Sequence, residues 1–431
     1  MKTKNYFKKF TILILFLFLG VNFSVAQTAK LLNPQQEKLL NGMNLLIWNV
    51  PTAEKAAVKL RIHNGSAFDP QNKEGTMALL SDILFPNQAA KEFFQEDLGG
   101  SLDVTSNYDY IQIDATSDAD QLIKMLDTLA GAIIKLNIDK EITAKVVSAR
   151  LEKIKELEKN PSHIADLAVA GRLFGDFPYG RPQMGTSESV SKIDFADLIL
   201  ARQRFLTADN ATLAVISNSK PDLVYRAVRR YFGAWEKSDK KIPATFRQPD
   251  VPKTGLAIKE FPIDNTSEFR LAFRNVARNN KDFHASEVLA KILQKRLQMR
   301  EGNNVAVSNN AQLLNGSVML SYSKWNVGRI IKQGNQFSLP QTDTILKDLL
   351  NSPINQEEFE DANLNRIPTA TNDLANWWLD IDTFKLASIK NEMQNAQNIT
   401  LADVNRVAEN WKKEPLAEFL VIGNYKPETS N

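Results

Sequence analysis

Cysteine is absent from this chain of 431 residues. Its absence excludes disulfide bonds, a cysteine nucleophile and the lipid-modified cysteine of a bacterial lipoprotein. A chain of this length does not need disulfides, because it can bury enough hydrophobic surface for more than one domain. Hydrophobic residues make up 43% of the sequence and charged residues 24%, which is typical of a globular protein.

Histidine is scarce, and several common catalytic motifs are missing. His63 lies on a predicted strand, and His163 and His284 lie near predicted helix starts, so none is paired at metal-ligand spacing. We expect all three to be structural or exposed. The sequence also has no Gly-x-Ser-x-Gly elbow, no phosphate-binding loop and no dinucleotide fingerprint. These absences remove the common hydrolase and nucleotide-binding alternatives.

The first 26 residues have the pattern of a secretory signal peptide. Four lysines precede a hydrophobic run over 10–21, and Ser24-Val25-Ala26 supplies small residues for cleavage before Gln27. The run is short for a membrane span. Removing residues 1–26 takes away four lysines and no acid, so the net charge changes from +3 to −1. No nucleic-acid partner is then expected, and the predicted location is the bacterial periplasm.

An internal duplication is the strongest pattern in the rest of the chain. Residues 195–218 match residues 401–424, and the strand-like end Val215-Ile216 of the first corresponds to Val421-Ile422 of the second. In each copy an aspartate near a helix start is followed by an apolar helix, a polar turn and a buried strand. The pattern indicates two related halves.

A polar, proline-containing segment over 237–254 separates the two halves and is typical of a linker. We therefore predict a first half-domain at 27–236 and a second at 255–431. Because strands alternate with helices in both, the predicted fold class is α+β, with each half-domain a mixed β-sheet packed with helices.

Three segments resemble those of a known family. They are NGSAFDPQNKEGTMALLSDILF (64–85), LGGSLDVTSNYDY (98–110) and FGDFPYGRPQMGTSESVSKI (174–193). In this order they are similar to the insulinase/pitrilysin-like zinc metallopeptidases, the inverzincins with the motif His-x-x-Glu-His. The resemblance covers nearly all of the chain after the signal peptide. It implies a metallopeptidase-like roll with two half-subunits in one chain.

The resemblance also implies that the catalytic motif is degenerate. In the family, two histidines and a glutamate from a later helix bind zinc, and the motif glutamate activates water. The corresponding positions here are Ala78, Ser81, Asp82 and Lys153, or Glu152 if the last alignment slips by one residue. We expect no metal and no catalysis in this chain, and an ion pair between Asp82 and Lys153 in place of the metal.

Two further segments have open interpretations. The family's second half contributes an Arg and a Tyr, seven residues apart, that contact substrate, and the matching positions are Arg300 and Val307. Arg300 is thus a candidate substrate contact, with a solvated charge at a helix end as the alternative. The aromatic segment 376–384 could line a cavity or an interface, although a buried helix core is favoured.

The resemblance implies a non-catalytic subunit of a secreted, heterodimeric zinc metallopeptidase. Its expected partner is a homologous subunit that carries His-x-x-Glu-His and holds the zinc, and its expected ligand is an unfolded peptide enclosed between the two subunits. The alternative is a peptidase-like binding or scaffold protein that acts without a protease partner. A weaker option is an active peptidase with a displaced metal site.

Overall fold

The computed structural model describes residues 33–238, 246–263, 266–324, 331–333, 336–339, 342 and 344–423. These residues form two mixed β-sheets packed with helices, which confirms the predicted α+β fold of two half-domains. The predicted signal peptide at 1–26 lies outside the described residues. None of the helices in these ranges has both the length and the apolar character needed to cross a membrane.

The first sheet has six strands. They are β1 (Gln35–Lys38), β2 (Asn44–Asn49), β3 (Lys55–Ile62), β4 (Ser101–Ser106), β5 (Ile111–Asp118) and β6 (Ala211–Ser217). Their order across the sheet is β1-β2-β6-β3-β5-β4, with β2 parallel to β6 and the other neighbours antiparallel. Every residue of β6 is buried, because this strand has a neighbour on each side and both sheet faces are covered. β4 is an edge strand.

The second sheet has seven strands. They are β7 (Gly255–Phe261), β8 (Ser267–Asn275), β9 (Val305–Ala311), β10 (Gly316–Ser323), β11 (Ile331–Gln333), β12 (Gln336–Ser338) and β13 (Ala417–Gly423). Their order is β11-β12-β7-β13-β8-β10-β9. β13 is parallel to β7 and antiparallel to β8, as β6 is to β2 and β3. Five strands therefore have the same arrangement in both sheets, which agrees with the duplication in the sequence.

The helices are numbered along the chain. In the first half they are α1 (Thr76–Leu84), α2 (Gln88–Glu96), α3 (Leu122–Ile134), α4 (Lys140–Leu157), α5 (Pro161–Phe174), α6 (Ser187–Ser191), α7 (Phe195–Phe205) and α8 (Pro221–Phe232). In the second half they are α9 (Phe283–Glu301), α10 (Ile345–Asn351), α11 (Gln356–Asn363), α12 (Thr371–Phe384), α13 (Ile389–Gln397) and α14 (Leu401–Trp411). Each half has its own core between one face of its sheet and most of its helices.

The duplicated aspartates have a structural role at the starts of α7 and α14. The carboxylate of Asp197 accepts a hydrogen bond from the backbone N–H of Asp194, whose side chain accepts one from the N–H of Asp197. Asp403 and Thr400 make the same reciprocal pair. These capping boxes satisfy N–H groups that have no partner within the helix, and an aspartate supplies the reciprocal acceptor in both copies.

The remaining face of each sheet is covered by one helix from the other half. α5 packs on β8 and β13 of the second sheet, whereas α12 packs on β3 and β6 of the first. A buried arginine on each sheet fixes the crossing helix: Arg61 of β3 donates to Asp380 of α12 at 2.6 Å, and Arg270 of β8 donates to Asp166 of α5 at 2.5 Å. The two halves are therefore interleaved.

The aromatic segment 376–384 forms most of α12. Its Leu379 is buried against the first sheet, and Trp378 meets Trp48 of β2 edge to face, with ring centroids 6.4 Å apart. The segment is thus part of a helix that packs in the interface between the two halves. The half-domain boundaries predicted at 27–236, 237–254 and 255–431 remain predictions, and residues 239–245 of the linker lie outside the described residues.

Candidate degenerate metal site

The start of α1 is held in place by a buried carboxylate. Asp69 accepts hydrogen bonds from the backbone N–H groups of Gly75 and Met77, both at 2.8 Å. Burial raises the pKa of Asp69 to about 7, although these two bonds favour the charged form. Gly75 has φ +100°, and a Cβ there would lie 2.7 Å from the carbonyl oxygen of Met184. Glycine is therefore required where the chain enters this helix.

The three motif positions on α1 share one face, as the i, i+3, i+4 spacing predicts. Ala78 and Ser81 are buried, and Asp82 is partly exposed. The Ser81 hydroxyl donates to the carbonyl oxygen of Ala78 at 2.6 Å. The serine is therefore engaged with its own helix, and the described residues that line the pocket beside it include no histidine to act as its base.

Arg150 of α4 is the ion-pair partner of Asp82. Its Nε and Nη2 donate to Oδ2 of Asp82 at 2.9 and 2.5 Å, and Nη2 also donates to the Ala78 carbonyl oxygen at 3.2 Å. The predicted ion pair between Asp82 and Lys153 is wrong, because Asp82 pairs with Arg150 instead. Lys153 lies one turn further along α4 and faces solvent, whereas Arg150 lies on the buried face with Val146 and Ile154.

Burial raises the pKa of Asp82, and the positive charges of Arg150 and Lys153 oppose this shift. Asp82, Arg150 and Lys153 line a pocket of about 280 Å³ between α1, α2, α4 and β4. Lys91 of α2 lines the same pocket. The pocket therefore holds three cationic groups and one carboxylate, a net charge of +2.

These residues do not fit the zinc ion that the family's motif would hold. A catalytic zinc site needs three protein ligands and an open position. Ala78 offers no ligand, Lys153 offers an ammonium group, and the only carboxylate of the set accepts two bonds from a guanidinium. The described residues contain no group of three or more His, Cys, Asp or Glu side chains placed to hold a metal ion. Glu152, the alternative fourth ligand, is exposed on the neighbouring position of α4.

Arg300 lies in the last turn of α9. Its Nε is 3.0 Å from Oε1 of Glu301, and Nη1 is 3.9 Å from Oδ2 of Asp348. Val307 lies on the edge strand β9 opposite Leu320. These contacts are those of a charge at a helix end. The role of Arg300 as a substrate contact remains a prediction.

Two of the three histidines are buried, and one of them, His63, lies between the halves. His63 contacts the hydroxyl groups of Thr212 and Thr383 at 2.9 and 2.8 Å, and burial lowers its pKa to about 3. His284 lies 3.0 Å from Glu392, and burial lowers its pKa as well. His163 lies near the start of α5 and lines a cavity between the halves. The contacts of His63 and His284 are with neighbouring side chains of the fold.

The segment 174–193 joins the first half to the second through a buried hydrogen-bond chain. The Tyr179 hydroxyl donates to Oδ1 of Asp109 at 2.9 Å and accepts from the backbone N–H of Leu314 at 2.9 Å. Oδ2 of Asp109 accepts from the N–H of Leu313 at 3.2 Å. Burial raises the pKa of Asp109 to about 6. The family-like Pro-Tyr-Gly segment thus fixes the turn between β9 and β10 against the first half.

Sequence reasoning missed Arg150, although a signal was present. The buried face of α4 contains Thr143, Val146, Arg150 and Ile154, which follow the 3–4 spacing of a core-facing stripe. An arginine in such a stripe requires a buried partner. The nearest acidic position in the motif helix is Asp82, so the pair could have been predicted from both helices together.

The fold and this site define a peptidase-like protein with two similarly built halves, in which the residues at the predicted motif positions do not fit a zinc ion. Residues 45–187 match the family model described as insulinase (peptidase family M16), and residues 192–364 match that of the peptidase M16 inactive domain. The two matches together cover most of the chain. The chain belongs to this insulinase-like family, and the replaced positions together with the inactive-domain match support a non-catalytic member.

Curated relatives are distant in sequence. An uncharacterized zinc protease of Rickettsia felis is 24% identical over 236 residues, which are 51% of this chain and 57% of that protein. One of Mycobacterium bovis is 27% identical over 220 residues, 49% of each chain. The chain thus matches about half the length of these curated relatives.

Solved structures show the same fold. A protease from Helicobacter pylori has a TM-score of 0.79 at 15% identity, and the match covers 90% of this chain and 100% of that one. A peptidase M16 inactive domain from Pseudomonas fluorescens has a TM-score of 0.76 at 18% identity, with 93% and 100% covered.

Proposed function

We propose that this chain is the non-catalytic subunit of a heterodimeric zinc metallopeptidase of the insulinase/pitrilysin type. Its partner is a homologous subunit that carries His-x-x-Glu-His and holds the zinc. The two subunits together enclose a chamber that holds an unfolded peptide. The role of this chain is to close that chamber and to bind the peptide. Proteolysis is then carried out by the complex, with the bond-breaking chemistry in the partner.

The observation that carries this proposal is the pairing of Arg150 with Asp82 at the motif positions. The Arg150 side chain of this pair is buried, and neither Ala78 nor Ser81 supplies a metal ligand or a general base. The helices that would position a metal site are nevertheless intact, down to the cap by Asp69 at the start of α1. A retained fold with a replaced site fits a subunit whose surface, rather than its chemistry, is needed.

Peptide binding has a physical basis in the edge strand β4. β4 pairs with β5 on one side, and no strand within the described ranges pairs with its other side. Free backbone N–H and C=O groups on such an edge bind an extended peptide by adding it as a further strand. The degenerate site lies beside this edge, since Leu102 and Val104 line the same pocket as Asp82.

Secretion is part of the proposal. The pattern of residues 1–26 supports export by a signal peptide, and the periplasm is the proposed location. Zinc is proposed only for the partner. Arg300 is retained as the proposed substrate contact in the second half.

The test is affinity purification of the tagged chain from its native cells, followed by mass spectrometry. We expect a stoichiometric homologue carrying His-x-x-Glu-His, and peptidase activity in the purified pair that a chelator removes. A strain that carries the tag on an unrelated exported protein is the control. Recovery of the chain alone, or with unrelated envelope proteins, would favour the binding or scaffold protein. Chelator-sensitive activity of the chain on its own would favour a displaced metal site.

A further inference from the structure

Two lysines in the degenerate site lack ion-pair partners among the described residues. Lys91 of α2 and Lys153 of α4 are exposed and line the same pocket, whereas the third cation, Arg150, is paired with Asp82. The pocket therefore keeps a positive charge that its own carboxylate does not balance. Such a pocket attracts an anionic group.

The geometry of the edge strand indicates how an anion would reach this pocket. Leu102 and Val104 point from β4 toward the pocket, and Asp103 between them points to the other face. A peptide added to the free edge of β4 would place every second side chain on the same face as Leu102 and Val104. A side chain at one of these positions would project toward Lys91 and Lys153.

We propose that the pocket formed by Lys91, Arg150, Lys153 and Asp82 binds an acidic side chain of an extended peptide that pairs with β4. The inference rests on the proposed peptide-binding function and adds a preference for Asp or Glu at one position. The ligand is a peptide with a carboxylate, because the two ammonium groups supply charge complementarity and the strand edge supplies backbone pairing.

Charge and position together carry the inference. The ammonium groups lie on two different helices that flank one pocket of about 280 Å³, a volume sufficient for a carboxylate side chain. Asp82 is unable to neutralise both, since its Oδ2 accepts two bonds from Arg150. The site that would hold a cation in an active relative is thus cationic itself in this chain.

The test uses the purified chain and short fluorescent peptides built from Val, Thr and Ser. Each peptide is acetylated and amidated at its ends and carries Glu, Gln or Lys at its central position. Fluorescence anisotropy gives the affinities. We expect the Glu peptide to bind about three- to tenfold more tightly than the Gln peptide, as for a partly exposed charge pair, and the difference to shrink at high salt.

Three variants make the test specific to the pocket. K91Q/K153Q should abolish the preference for Glu, and K91E/K153E should reverse it toward the Lys peptide. K155Q is the matched control, because Lys155 is exposed on another face of α4 and does not line the pocket. It should leave the preference unchanged. Circular dichroism confirms that each variant is folded.

Each result has a separate meaning. Equal binding of the Glu and Gln peptides would refute the carboxylate site and leave peptide binding intact. Binding of no peptide would refute the peptide-binding role, and this inference with it. A final measurement uses a Gln peptide with a free terminal carboxylate, to test whether the pocket binds a peptide C-terminus. If this peptide outbinds the Glu peptide and loses that advantage in K91Q/K153Q, the pocket takes a peptide C-terminus and the assignment to a side chain is wrong.

Discussion

Removal of Asp82 should destabilise the first half more than removal of its partner Arg150. The two side chains differ in exposure: 7% of the Arg150 side chain is exposed, against 37% for Asp82. In the Asp82→Ala variant a buried guanidinium keeps only its bond to the carbonyl oxygen of Ala78. In the Arg150→Met variant water can solvate the remaining carboxylate, and the methionine fills much of the vacated space.

The magnitude follows from the bonds lost. Breaking a fully buried ion pair by removing one partner costs roughly 3–5 kcal/mol. Asp82 is partly exposed, so solvent screening reduces this figure. We expect about 2 kcal/mol for Asp82→Ala and about 1 kcal/mol for Arg150→Met, the lower value reflecting the hydration of the remaining carboxylate. The double variant should reveal a coupling energy of about 1 kcal/mol.

Urea unfolding followed by circular dichroism measures these free energies, provided that the slope against urea is unchanged. The control is Lys153→Met, which removes a solvent-facing cation from the same helix and should change stability little. We infer that the ion pair stabilises the contact between α1 and α4. This inference would be refuted if Asp82→Ala lowered the free energy of unfolding no more than Arg150→Met, or if the coupling energy were near zero.

Other predictions concern the contacts between the halves. Tyr179→Phe removes the hydroxyl that links Asp109 to the N–H of Leu314, so urea unfolding should show a loss of about 2 kcal/mol, because Oδ1 of Asp109 and that N–H each lose a hydrogen bond; a loss below about 0.5 kcal/mol would contradict this. Burial raises the pKa of Asp109 from its ordinary 3.8 to about 6, so the folded chain retains a proton that the unfolded chain releases, and stability should fall as pH rises through this range. Asp109→Asn should make that fall shallower, and an unchanged slope would show that the carboxylate does not titrate as described. Arg61→Met leaves Asp380 buried with one cation fewer and should cost about 3 kcal/mol, whereas a neutral result would mean that the pair across the interface adds no stability.

The fold could be predicted because its repeated units are local. The match of Asp197 to Asp403 reflects two capping boxes, and the match of the following strands reflects two central strands with equivalent neighbours. Both features depend on residues close together in the sequence. Their periodicity and cap chemistry are therefore visible without any tertiary structure.

The interleaving of the halves could not be predicted in the same way. The apolar face of α12 shows that the helix is buried, yet nothing in its local sequence says that it covers the sheet of the other half. That choice depends on Arg61 and Asp380, which are 319 positions apart in the chain. Pairs at such separation are invisible to patterns of helical or strand spacing.

The sequence predicted which residues lie at the candidate site, but it did not predict the contacts that they make. Ala78, Ser81 and Asp82 share one helix face as predicted, because i, i+3, i+4 spacing fixes that geometry, and their assignment to the motif positions remains a prediction. The sequence did not reveal that Arg150 would pair with Asp82, since side-chain reach from a second helix depends on how the two helices pack. Asp82 pairs with Arg150 because this arginine lies on the buried face of its helix, whereas Lys153, at the predicted fourth ligand position, faces solvent.

The central claim is that the chemistry belongs to a partner subunit and not to this chain. The direct measurement is peptide hydrolysis and zinc content of the purified pair, in which the partner's motif glutamate has been replaced by glutamine. We predict that hydrolysis is abolished, that the pair holds one zinc, and that this chain purified by itself holds none. Residual chelator-sensitive hydrolysis in that pair, or stoichiometric zinc in this chain alone, would contradict the account.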